Sequence, residues 1–491
     1  MHAEPPWSPA LWEQTPAAVQ DDIRALEARV TALERTVQRR EATVQQMTEQ
    51  LRQDARTSSR PPSSDAPQAT GKRPRREPSG RRPGGQPGHE GHTRALIPGE
   101  QGDVVIPVKP ACCARCQHPL HGTDPQPQRQ QVRAVPPITP GVTAYPWHRW
   151  VGSACGALTR AAWPTEVPCG GFGPRVQAIA ALCTGADYLS TRTPQRVMVE
   201  VFGLPMRLGS MANVEQATAQ AVAEPVAAAR ASVQQQPAAY LDETGWREGQ
   251  QRAWLGTAVT AWVTVFVVRL SRRGKVAQEL LGERCWGWLV TDRWSGDTWS
   301  PAWRRQLCWA HLLRDIAAMS AREGRSQESG EALRGQAWKM VHWWHRVRDG
   351  TLAPTTFAND RGPGRRAVER LLEAGQTCGV PKTAGGCREI RKRRQALWTV
   401  VRHPEIAPTN NVAERAIRPG GLWRRGSFGT HSPEGARCVE GMMTVVATLK
   451  PQHRHGLDDL TNAGEAALHG EPAPSLLPAL DQLNDLMHPA A

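Results

Sequence analysis

The sequence predicts an α/β fold, and two observations carry that prediction. After Pro237 three apolar runs rich in β-branched and aromatic residues follow one another, "AAYLDETGW", "RAWLGTAVT" and "WVTVFVVRLS". A helix-like "KVAQELLG" comes next, and then a fourth run, "GWLVTDRW". Three strands, a helix and a fourth strand suit a sheet of the ribonuclease H type. The second observation is that Asp242 ends the first run and Asp292 the fourth, so two acids 50 residues apart share one edge of such a sheet. Ahead of this core the sequence predicts a coiled coil, a zinc-ribbon-like module and a helical segment suited to binding DNA. A chain of 491 residues, 39% of them hydrophobic, is long enough for several such units.

From the N-terminus, a coiled coil is expected over residues 21–56. Ile23, Leu26, Val30, Leu33, Val37, Val44, Met47 and Leu51 recur at alternating spacings of three and four, with Arg40 in one core slot. Such a seam favours a homo-oligomer. Residues 57–100 read as a linker, poor in apolar side chains and dense in Pro, Gly, Ser and Arg. Its arginines at 73, 75, 76, 81 and 82 suit either plain solvation or phosphate contacts without sequence preference.

Residues 101–170 carry Cys113 and Cys116 in C-x2-C spacing and, about forty residues on, Cys155. Two such knuckles hold a tetrahedral zinc. Here Gly152 stands where the second knuckle needs its first cysteine, leaving Cys112, His148 or Cys169 as the source of a fourth ligand. A ribbon that keeps its zinc and one that has lost it both remain open. Residues 171–236 read as helical, with a Gly-Leu-Pro turn before a helix opening near Ser210, in the manner of a helix-turn-helix or an ordinary hairpin. The α/β core spans 237–450 and a tail 451–491.

The net charge of +15 makes a polyanion the leading partner. The longest strand-like apolar run, "AWVTVFVV", is too short to span a bilayer, and "MHAEPPWSPA" lacks a signal-peptide pattern, so no membrane association and a cytoplasmic location are expected. Paired aspartates at strand ends suit magnesium, a hard cation that takes oxygen ligands. A third acid completes a site for two ions roughly 3.5–4 Å apart. Glu414, in "PTNNVAERAIRPGG", is the candidate. It also reads as the far member of a capping box begun by Asn411.

Taken together, these stretches resemble the transposases of the insertion sequence 66 group, of the DDE class. The resemblance rests on "SRPPSSD" and "GGQPGHEGHTR", on "YLDETGW", "LVTDRWSGD" and "CWAHLLRDI", and on "PTNNVAERAIRP" followed by "SFGTHSPEGA", in that order. It implies a catalytic triad of Asp242, Asp292 and Glu414 binding magnesium, and a helical insertion over about 320–400. It also places Cys308 and His311 near the site, and implies small accessory proteins from the same element and a bacterial, nucleoid-associated setting. Asn410, Asn411, Arg415 and Arg418 surround the glutamate, and "REIRKRRQ" supplies Arg391, Lys392, Arg393 and Arg394 for backbone phosphates. The expected activity is cleavage at element ends followed by strand transfer into target DNA. The alternatives are a non-catalytic DNA-binding protein descended from a transposase and a metal-dependent nuclease that never joins. Asp297, five residues after Asp292, is expected to be a decoy or a bystander whose replacement is mild.

Overall fold

The structure, a computed structural model, describes residues 12–51, 95–98, 101, 104–168, 170–283, 286–293 and 295–478. Apart from residues 95–98, the basic stretch expected over 57–100 lies outside the described residues, as does Cys169. The chain divides into two compact units, one of residues 70–162 with 195–207 and the other of the remainder.

The smaller unit holds a two-stranded antiparallel hairpin, β1 (Arg149–Val151) and β2 (Leu158–Arg160), whose residues are all exposed. A tight turn at Cys113 is closed by Cys113 N–H donating to the His118 carbonyl at 2.9 Å.

The larger unit opens with α1 (Ala17–Leu51), an uninterrupted helix of 35 residues and about 50 Å in length. Its apolar seam is exposed among the described residues: Leu26, Leu33 and Met47 are each about 60% exposed. Then come α2 (Pro174–Gly185), α3 (Arg192–Phe202), which straddles the two units, α4 (Leu208–Ala221) and α5 (Ala223–Val233). The chain leaves α3 through Gly203, whose positive φ of 64° is one that a residue with a side chain adopts at a cost.

A five-stranded mixed sheet follows. It contains β3 (Ala238–Glu248), β4 (Gln251–Val259), β5 (Thr264–Arg269), β6 (Trp288–Thr291) and β7 (Arg305–Leu307), with α6 (Gly274–Leu281) between β5 and β6. The strand order is β5-β4-β3-β6-β7, with the first three antiparallel and the last two joined in parallel. The four expected strands and the helix are all present. The fifth, β7, is only three residues long. Its Arg305 and Gln306 are buried polar residues, so no apolar alternation announced it.

Helices cover both faces, which is why β5 is buried along almost its whole length. On one face Leu241, Val265, Val267 and Leu289 pack with α2, α5, α6, α13 (Pro433–Leu449) and α14 (Gly456–His469). On the other, Trp246, Leu255 and Phe266 pack with α12 (Asn411–Ser427) and α13. The open edge of β5 is closed by side chains of α13 rather than by another strand. The amides of Thr264, Phe266 and Val268 donate to Thr448 Oγ1, Thr444 Oγ1 and Glu440 Oε1 at 3.1, 3.1 and 2.7 Å. Acceptors four residues apart on a helix thereby meet donors two residues apart on a strand, and the β5 edge is not left open to further pairing.

Between β7 and α12 the chain forms α7 (Trp309–Ser320), α8 (Arg325–Arg348), α9 (Pro354–Gly375), α10 (Pro381–Lys392) and the short α11 (Thr399–Arg402), around a core of their own. The end of this stretch is tied back to β7. Val400 N–H donates to Gln306 Oε1 at 2.8 Å, and Trp309 Nε1 donates to the Leu397 carbonyl at 3.0 Å. No described helix is long and apolar enough to cross a membrane.

Candidate active site

The two aspartates meet because of strand register. Parallel pairing of β3 with β6 sets Ala238 against Trp288 and Tyr240 against Val290. Counted on by two places past the last pair, the same offset makes Asp242 level with Asp292, which lies one residue beyond the end of β6. The spacing of 50 residues is therefore the register itself. Contrary to the sequence expectation, Asp242 does not end its strand, since β3 runs on to Glu248. It is β6 that stops, at Thr291, and so opens the sheet beside Asp242.

Glu414 reaches the same face from α12. That helix lies close on the sheet because position 420 is glycine: a Cβ there falls 2.2 Å from Leu255 Cδ2. Ile417 and Trp423 pack on the sheet face that carries Trp246 and Leu255, and alternation along β3 puts Asp242 on the Trp246 side. The start of α12 is pinned by Asn410, which is 1% exposed and donates its Nδ2–H to the Leu241 carbonyl at 2.6 Å. Ala407 N–H donates to the Tyr240 hydroxyl at 3.0 Å, a second tie from the same loop to β3.

The capping box does not form. Asn410, not Asn411, is the N-cap of α12, and no side chain caps the helix. The Asn410 side chain is used on β3 instead, which leaves the Glu414 carboxylate without a capping duty. Glu414 Oε1 lies 3.4 Å from His311 Nδ1 and 3.7 Å from an Arg314 guanidinium nitrogen, both on α7. Sequence reading missed Arg314; its spacing of three from His311, itself three after Cys308, was the signal for one shared helix face.

The electrostatics mark the aspartate as strained. Burial, followed by the charges of Glu243 and Asp292 and, more weakly, Glu414, pushes the Asp242 carboxyl up to about 8. Glu243 is no rival ligand, because Arg272 holds it at 2.6 Å. Burial, followed by the Arg314 charge, holds the His311 imidazole below its usual range. A carboxyl raised by burial and neighbouring acids, beside a Glu414 oxygen that makes no hydrogen bond, suits a divalent cation, while the oxygens of Asp242, Asp292 and Glu414 do not all gather within ligand distance of one another.

Asp297 has a different function from the one expected of a bystander. It is 1% exposed, bonds Thr291 Oγ1 and pairs with the equally buried Arg305 at 2.9 Å, joining the end of β6 to β7. Cys308 is buried and accepts from the Asn410 amide at 3.1 Å, and burial pushes its thiol up to about 11.

Asn411, Arg415 and Arg418 all lie exposed along one side of α12. In the basic run, Arg391 pairs with Glu373 at 3.0 Å and Arg393 with Glu389 at 2.5 Å. Lys392 and Arg394 are exposed, without an ion pair among the described residues.

In the smaller unit, Cys113 and Cys116 share a turn whose amides, those of Cys116 foremost, hold the Cys113 thiol below its usual range. A Cβ built at Gly152 lies 3.2 Å from Cys155 Sγ, so the second turn keeps a knuckle's shape without its ligand. Among the described residues the three sulfurs do not gather within ligand distance; the one group of three that does is Cys308, His311 and Glu414.

Comparison with known proteins adds the following. Residues 170–438 match the profile of a family described as "Transposase IS66 family". Residues 13–95 match a family of unknown function, DUF6444. Over 174 residues the chain is 29% identical to "Uncharacterized protein y4qI" of Sinorhizobium fredii, a stretch that is 34% of this chain and 31% of that protein. The chain thus spans about a third of the length of that curated relative.

Proposed function

The chain belongs to the IS66 family of transposases, and from that premise we propose that it cuts DNA at the ends of a mobile element and joins those ends to target DNA at a single site formed by Asp242, Asp292 and Glu414. The observation that supports the reading is the β3–β6 offset of 50, which equals the spacing of Asp242 and Asp292, together with the packing of α12, the helix of Glu414, on the sheet face of Trp246 and Leu255. The strand order β5-β4-β3-β6-β7 suits a sheet of the ribonuclease H type, with the helices between β7 and α12 as its insertion.

The three carboxylates would hold magnesium, whose role when bound is to polarise the scissile phosphate and the attacking oxygen. Asp242 stands within β3 and Asp292 directly follows the end of the adjacent β6, so the backbone positions both. Glu414 stands on a helix anchored by Asn410 and Gly420, so its placement depends on side-chain packing. In the first step the oxygen of water bonds to phosphorus at the element end, and the bond from phosphorus to the 3′-oxygen breaks. In the second, the freed 3′-hydroxyl attacks a phosphorus of the target and displaces that strand's 3′-oxygen. Neither step needs a covalent bond to the protein.

Arg415 and Arg418, exposed on α12 beside Glu414, suit phosphates flanking the scissile bond. Arg391, Lys392, Arg393 and Arg394 suit more distant phosphates. The segment around residues 190–220 is the candidate for reading element ends, by a helix-turn-helix or a related arrangement. The exposed apolar seam of α1 supports self-association through a coiled coil.

The test is incubation of the purified protein with labelled element ends, plasmid and magnesium, scoring cleavage and joining separately. Both products are expected from the wild type, and neither from Asp242→Asn, Asp292→Asn or Glu414→Gln, all of which should still bind DNA. Cleavage without joining would leave the nuclease reading. DNA binding with neither product would leave a non-catalytic descendant.

A further inference from the structure

Beside the aspartates lies a donor set of different chemistry. Cys308 Sγ, a ring nitrogen of His311 and a carboxylate oxygen of Glu414 all lie within 4.8 Å of one another. His311 Nδ1 and Glu414 Oε1 are buried, face each other at 3.4 Å and make no hydrogen bond. The sulfur accepts a hydrogen bond from the Asn410 amide at 3.1 Å. Buried polar atoms normally find hydrogen-bond partners, so two that make none, in one cluster with a thiol, point to a site for a cation.

We propose that Cys308, His311 and Glu414 form a binding site for a borderline-soft divalent cation of the zinc type, with water as the fourth ligand. One sulfur, one imidazole nitrogen and one carboxylate oxygen match zinc or cobalt and not magnesium, which takes oxygen alone. Three protein ligands and an open position make the site one that exchanges its ion, unlike a closed structural zinc. On binding, the S–H bond of Cys308 breaks, its proton passes to solvent and its electron pair forms the sulfur–metal bond. His311 binds through its neutral ring.

The site shares Glu414 with the proposed magnesium site. A zinc-type ion here therefore engages the glutamate and opposes its use beside Asp242 and Asp292. That consequence rests on the catalytic reading above, whereas the cation site itself does not.

The experiment titrates the full-length protein with cobalt(II) alone and follows the near-ultraviolet absorption of a cobalt–thiolate bond, which oxygen and nitrogen ligands do not produce. Cys113→Ser with Cys116→Ser serves as the background, so that the other cysteine pair contributes nothing. The expected result is one equivalent of cobalt with a thiolate band, displaced by zinc. The band should be lost in Cys308→Ser and retained in Asp242→Asn. His311→Ala leaves the sulfur in place and should weaken cobalt binding at least about tenfold. It decides the question if Cys308→Ser fails to fold. Absence of the band in the background protein overturns the site, and so does a band indifferent to both Cys308→Ser and His311→Ala. The readout is absorption and not DNA cleavage, so a catalytically inactive protein still answers it.

Discussion

Two residues show how far an acidic side chain's neighbours decide its work. Asp242 and Asp297 are both buried acids close to Asp292, yet only Asp297 has a cationic partner, Arg305 at 2.9 Å. Asp297→Asn leaves that buried guanidinium uncompensated and should destabilise the fold by about 3 kcal/mol. Denaturant unfolding of the variant measures this, and a loss under about 1 kcal/mol would refute the structural role. Asp242 is the opposite case, with its carboxyl pushed up to about 8 by burial and by neighbouring acids. Its proton is held in the folded chain and lost in the unfolded one between about pH 4 and 8. In excess chelator the wild type should therefore lose stability as pH rises through that window, and Asp242→Asn should lose less. Thermal melts at pH 5 and 8 check the sign. These distinctions were only partly legible in the sequence. Asp242 and Asp292 stood out because each follows an apolar run. The pairing of Asp297 did not, because Arg305 lies in a strand too short and too polar to be recognised.

Among the elements, those with strong periodicity were readable and those defined by partners were not. β3, β4, β5, α6 and β6 follow from alternation and turn chemistry. The start of α12 does not, because Asn410 uses its amide on the Leu241 carbonyl and not on its own helix, a long-range contact that overrides the local capping signal. The heptads of α1 lie between these cases. The apolar spacing predicts a seam, and the structure gives a helix with that seam exposed among the described residues. Leu26→Lys with Leu33→Lys places charge in the seam and should convert an oligomer into a monomer. Sedimentation reads the outcome; a wild type already monomeric at micromolar concentration would remove the coiled coil from the account.

For the whole molecule, a net charge of +15 gives a surface suited to DNA, but not every cation in the basic run is available to it. Arg391 and Arg393 pair with Glu373 and Glu389, which leaves Lys392 and Arg394, of these four, without an ion pair among the described residues. Replacing all four with Ala should lower the slope of log affinity against log salt by about two units, on end and random duplexes alike. A drop near four would mean that DNA strips the two ion pairs, and no drop would take this stretch off the DNA-binding surface. The central claim concerns the three acids acting as one site on one polynucleotide. Its most direct test is a double-mutant cycle on single-turnover cleavage of a labelled element end, with Asp242→Asn, Glu414→Gln and the two combined. Groups that act as a unit give grossly non-additive losses, so the account predicts that either single variant is about as inactive as the double. Losses that multiply independently, or near-normal cleavage by Glu414→Gln, would contradict it.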